Sequence, residues 1–176
     1  MDNMIVTMNK ENDSMKVTLS RLPKTLQDLQ NLGEEYFKTP EFACAMFVAC
    51  ITNFEDNKEE TVKMIDYING PNEVSPFEQQ FLTDRLAGKI YKAFSYFDGS
   101  KPSNNYTPNT PYVVYVKSNP YTDSNEGYKR FVMKSSGADN ERTITVRLKP
   151  STGCWYLNNE ELLSDIRIPD NQNEWI

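Results

Sequence analysis

Histidine is absent from this 176-residue sequence. That excludes Ser-His-Asp and Cys-His catalysis, histidine-ligated zinc and imidazole acid–base chemistry. What is left for catalysis is carboxylate, lysine or tyrosine chemistry, so hydrolysis by a carboxylate pair stays open. Cysteine is scarce. Cys44, Cys50 and Cys154 cannot make a disulfide framework. Cys44 and Cys50 lie six residues apart, about 240° around a helix, and so cannot bridge within one. They read as small buried hydrophobes of a reducing compartment. No apolar run reaches the ~18 residues of a membrane span. The N-terminus MDNMIVTMNKENDSMK has neither a basic nor an apolar signal region, which argues against secretion. Neither EF-hand spacing nor a glycine-rich phosphate loop occurs, and no cofactor or metal is expected.

Of what is present, the richest stretch is Pro40 to Phe54, with ten apolar residues in a row from Phe42 to Ile51. A helix apolar all round must be covered all round. Too short to cross a bilayer, it reads as the central helix of a soluble domain, with Thr39 as cap and Pro40 in its first turn. Hydrophobic residues make up 38% of the chain and aromatics 12%, enough for a real core.

Other helices flank the central one. Leu26, Leu29 and Leu32 recur at threefold spacing before Gly33. Asn57 with Glu60, and Ser75-Pro76 with Glu78, have capping-box spacing ahead of two amphipathic segments. The fourth helix places Phe77, Phe81, Leu82, Leu86 and Ile90 on one face. After about residue 92 the period changes. Met15–Leu19, Ala93–Phe97, Pro111–Lys117, Tyr128–Lys134, Thr143–Lys149 and Cys154–Leu157 read as strands, the last two joined by a Pro150–Gly153 turn.

The expected fold is therefore α+β. A layer of three to four N-terminal helices packs on a C-terminal antiparallel sheet of four to five strands. A strongly curled sheet with helices in its concavity is the other packing that fits. Residues 1–14 are expected to be a flexible lead. One domain then spans 15–176, with a helical half at 25–92 and a sheet half at 93–168.

Charge divides unevenly. The net charge is −6, made of −7 in residues 1–88 and +1 in 89–176. The acidic half disfavours nonspecific nucleic-acid binding. Two surfaces are candidate sites. The first is the loop Asp98–Pro111, DGSKPSNNYTPNTP, where Asn104 and Asn105 flank Tyr106, with Tyr96 just before it. Long loops are often functional, and amides around a ring suit a polar ligand or a protein partner. The ordinary alternative is a connection pinned by Tyr106, its asparagines serving the turn backbone. The second is a sheet face carrying Tyr115, Arg130 and Arg147 among lysines and threonines, which would take an anion or RNA weakly. The ordinary alternative is a solvated face. No catalytic residue is assigned; Asp98 is the one conceivable member of an acid pair.

Four stretches, MKVTLSRLPKTLQDL, FSYFDGSKPSNNYTP, SSGADNERTITVRLK and WYLNNEELLSDIRIP, together resemble an uncharacterised family of cytoplasmic proteins from anaerobic gut Firmicutes, a domain of unknown function. The resemblance implies a bacterial, single-domain, cytoplasmic protein and carries over no activity. The leading expectation is a non-catalytic binding or interaction module for a protein or small polar ligand, without membrane contact.

Overall fold

A computed structural model describes residues 2–176. Six antiparallel strands form one sheet in the order β1-β2-β3-β4-β5-β6: Val6–Glu11, Ser14–Leu19, Tyr112–Lys117, Tyr128–Met133, Arg142–Lys149 and Cys154–Glu160. Among the described residues all five α-helices are inserted between β2 and β3. They are α1 (Leu26–Gln30), α2 (Glu41–Ile51), α3 (Lys58–Ile68), α4 (Pro76–Leu86) and α5 (Tyr91–Phe94), with a 3₁₀ turn at Glu34–Lys38. A meander thus opens once, accommodates the helices, and resumes.

The α+β class holds, with two corrections. The sheet has six strands, and it begins at the N-terminus. Part of the segment expected to be flexible is β1, registered on β2 from Val6↔Leu19 to Glu11↔Ser14. The two-residue Asn12-Asp13 turn closes this hairpin, with Asn12 at φ 55°, a conformation asparagine tolerates. Conversely, Ala93–Phe97 is no strand. Ser95 N–H donates to Tyr91 O and its hydroxyl to Lys92 O, closing a helical turn. Five residues were too few to separate the two periods. Only Phe97 reaches the sheet, through an isolated bridge to Val114.

Helix α2 is buried along all eleven residues, including Glu41, which pairs with Lys10 of β1 at 3.4 Å. It touches β2, β3, β5 and β6 on one side and α3 and α5 on others. The central helix therefore lies across strands on both sides of the β3–β4 pairing. At the β3–β4 junction the register is limited to Lys117↔Val132. Pro40, not Thr39, occupies the cap position of α2, and no side chain caps it. The other expected caps form. Asn57 Oδ1 accepts from Glu60 N–H at 3.1 Å, and Ser75 Oγ from Glu78 N–H at 3.1 Å. Helix α4 stops at Leu86, before Gly88 and Ile90.

The start of α1 is held by Asp28. Its carboxylate accepts from Arg21 Nη2 at 2.8 Å, Arg21 Nη1 at 3.1 Å and the backbone N–H groups of Lys24 and Thr25. The Arg21 guanidinium and these N–H groups depress its carboxyl to about 2, against the opposing effect of burial. Among the described residues no helix is long and apolar enough to cross a membrane.

Candidate functional site

The Asp98–Pro111 loop folds on itself. Asn104 Oδ1 accepts from Lys101 N–H and Thr107 N–H, and its Nδ2 donates to Gly99 O and Thr107 O. Asn105 and Tyr106 both take positive φ, 57° and 52°. That turns the Tyr106 ring inward, where it is 1% exposed and stacks on Tyr91 at 5.6 Å. Its hydroxyl donates to Arg167 O at 2.6 Å, and the same oxygen lies where a Cβ on Gly137 would stand. Burial pushes this phenol up to about 12. Tyr96 is buried too, its hydroxyl donating to Leu162 O. Asp98 is exposed and shares backbone hydrogen bonds with Val113 and Asn109. Beside the loop a cavity of about 470 Å³ is lined by Tyr91, Phe94, Asn105, Tyr106, Thr107 and Pro108, among others.

The basic sheet face forms as register requires. Tyr128 opposes Arg147 and Arg130 opposes Thr145, on the side opposite Phe131, Ile144 and Val146. Lys117 opposes Val132, which brings Tyr115 to that same side. Two of the cations there are engaged. Arg147 lies over the Tyr128 ring at 5.6 Å and Lys117 pairs with Glu141 at 3.4 Å. Arg130 borders a shallow cavity of about 310 Å³ with Tyr121, Tyr128 and Thr145.

A third place was not visible in the sequence. Between α4 and β6 runs a groove of about 800 Å³. Phe47 of α2 and Ile65 of α3 form part of its wall, with Phe77, Phe81 and Leu82 of α4 and Leu157 of β6. Polar groups come from Asn69, Asn72, Asn158, Asn159 and Glu160, with Glu73 and Glu78 also lining it. Gly70 follows the lining residue Asn69. At φ 65° it presses on the Tyr156 ring so closely that a Cβ would overlap the ring.

Glu160 owes its position to a β-bulge. Val146 opposes Leu157 and Ile144 opposes Glu160, while Thr145 opposes Asn159, leaving Asn158 as the extra residue. Val146 and Ile144 share the inner face, so Leu157 and Glu160 share it too, three residues apart instead of two. One Glu160 oxygen accepts from Leu162 N–H at 2.9 Å. Burial raises its carboxyl above the ordinary glutamate range, against the pull of Leu162 N–H and Arg85. The string Leu-Asn-Asn-Glu-Glu reads as a polar strand end; only the cross-strand register shows which glutamate turns inward. Among the described residues no three histidine, cysteine or acidic side chains gather as a metal site.

The profile of a family described as a domain of unknown function, DUF6935, matches residues 21–170. The chain belongs to that family. No curated protein and no solved structure matches it. The DUF6935 match takes in α1 to α5, β3 to β6 and all three surfaces described above, while β1 and β2 precede it.

Proposed function

We propose that this DUF6935 protein is a non-catalytic binding module, acting as one domain, and that its binding site is the α4–β6 groove. The observation that carries the reading is the groove itself. Its volume falls in the range of ligand sites, its walls are aromatic and aliphatic, and a few amides and a half-buried carboxylate converge on it. The Asn104–Tyr106 loop is the second candidate, since its 470 Å³ cavity is bordered by Tyr91 and Tyr106. It ranks behind because the Asn104 amide and the Tyr106 hydroxyl already have partners within the fold. The Tyr115–Arg130–Arg147 face is the place for weak anion or RNA binding. A bacterial and cytoplasmic setting is part of the proposal, supported by three buried, unbridged cysteines and by the family resemblance.

The rival reading, hydrolysis by paired carboxylates, gains one observation: Glu160, with a raised carboxyl, shares a cleft with Glu73 and Glu78. Against it, Glu78 reaches back to Ser75 N–H as part of a helix cap. A fragment screen read by amide NMR shifts separates the sites. Hits are expected to perturb Phe77, Phe81 and Leu157–Glu160; hits confined to Tyr91 and Asn105–Pro108 would move the site to the loop.

A further inference from the structure

The α4–β6 groove follows the edge of the sheet instead of lying over its face. Successive side chains of a strand point to opposite faces, so a cavity over one face is lined by alternate residues. Here Leu157, Asn158, Asn159 and Glu160 all line it. The bulge explains one break in alternation but not an unbroken run of four.

Strand β6 ends the strand order. The first half of its outer edge is covered. Cys154 Sγ lies 3.8 Å from Glu34 O, and Tyr156 packs on Phe37 and Gly70. From Leu157 to Glu160 the backbone makes no hydrogen bond outside the β5 ladder, among the described residues. A sheet edge left open presents N–H and C=O groups ready to pair with another chain. Facing this edge is one side of a helix. Phe77, Glu78, Phe81 and Leu82 stand at i, i+1, i+4 and i+5 of α4. An edge strand and a helix facing each other across a groove suit strand addition, in which main-chain hydrogen bonds give affinity and alternate side chains give specificity.

Charge narrows the occupant. The lining holds Glu73, Glu78 and Glu160 and no lysine or arginine. The nearby cation, Arg85, lies over the Phe81 ring at 5.0 Å. The geometry points to an extended basic segment of a partner protein that adds to β6 as a seventh strand. A lysine or arginine of that segment pairs with Glu160, and its apolar side chains rest on Phe77, Phe81 and Leu157. The open edge has room for about four residues, roughly 13 Å of strand. This rests on the groove being the binding site.

The test uses the full chain as bait for a random heptapeptide library displayed on phage. Selected peptides are expected to carry a lysine or arginine with β-branched or aromatic residues at alternate positions. Their affinity is expected to fall at least tenfold on Glu160→Gln, which keeps an acceptor for Leu162 N–H, and on Phe77→Ser. It is also expected to fall at least tenfold when one of the two alternate sets of peptide amides is N-methylated. Equal affinity for Glu160→Gln overturns the ion pair. Equal affinity for peptides methylated on either set overturns strand addition, while loss on Phe77→Ser still upholds the groove. Failure to select any peptide overturns strand addition, and the fragment screen then shows whether the groove stands. Selected peptides that bind Phe77→Ser as well as the parent overturn both. Thermal melts of both variants confirm that they fold.

Discussion

The Asp98–Pro111 loop and the α4–β6 groove are built from the same kinds of residue: asparagines, aromatic rings and acids, one acid in the loop and three in the groove. They differ in where the hydrogen bonds go. In the loop, both ends of the Asn104 amide and the Tyr106 hydroxyl are matched by backbone partners. In the groove, Asn158 and Asn159 make no side-chain hydrogen bond among the described residues, and Phe77 is 80% exposed. Residue type marks a place where polar chemistry gathers. Whether that chemistry is internal or offered outward depends on local partners, Lys101 and Thr107 for Asn104 and Leu162 for Glu160, and on distant ones, Arg167 for Tyr106 and Ile144 for Glu160.

The largest test falls on a residue that serves both the core and the groove. Phe47 is 2% exposed and also lines the groove. Phe47→Ala is expected to cost about 3–5 kcal/mol in urea unfolding, as for a buried aromatic. An unchanged midpoint would break the description of α2 as the central helix.

That helix was legible because an all-apolar run admits few placements. The caps at Asn57 and Ser75 and the β5–β6 hairpin were legible because they are local, each fixed within about six residues. The strand β1 was not. Of VTMNKE only Val6 is buried, so an edge strand carries almost no hydrophobic pattern. Its Asn12-Asp13 turn was the available signal. The groove was illegible for a different reason: a bulge reverses side-chain parity, and nothing in LNNEE shows where the extra residue falls.

Two carboxylates sharpen the comparison through opposite pH behaviour. Asp28→Asn removes the charge that holds Arg21 and two backbone N–H groups, and is expected to cost about 2–3 kcal/mol at neutral pH. Asp28 titrates near 2 in the folded chain and near 3.8 unfolded, so the unfolded state binds more protons in between. Its stabilisation is present above about pH 4 and is lost as pH falls toward 2. Glu160 has the reverse sign. Its folded value lies above the ordinary 4.5, so the folded state holds the proton longer, and stability declines as pH rises through that window. Glu160→Gln is expected to remove that decline and to leave the Asp28 acid limb intact. A pH series of thermal melts checks both; a Gln variant that keeps the decline would show that Glu160 is not its source.

A smaller effect is expected in the loop. Tyr106→Phe leaves the ring in place and removes the donor to Arg167 O, which should cost about 1–2 kcal/mol. Groove ligands should bind this variant unchanged. If they do not, the two regions are coupled through the Leu162–Arg167 segment, which Tyr106 holds at Arg167 and Glu160 at Leu162.

The smallest effect on stability should accompany a large effect on binding. Phe77 is mostly in water, so Phe77→Ser is expected to shift unfolding by no more than about 0.5 kcal/mol. A single exposed apolar side chain is ordinary and calls for no functional explanation. Phe77 differs by its company, since it stands with Phe81 and Leu82 along one wall of a cavity that already contains Glu160. If Phe77→Ser leaves both stability and fragment binding unchanged, the ring is surface decoration and the groove is not the binding site. If stability holds while binding is lost, Phe77 is kept in water for what it meets there, and the contrast between a loop closed on itself and a groove open to solvent becomes a statement about function.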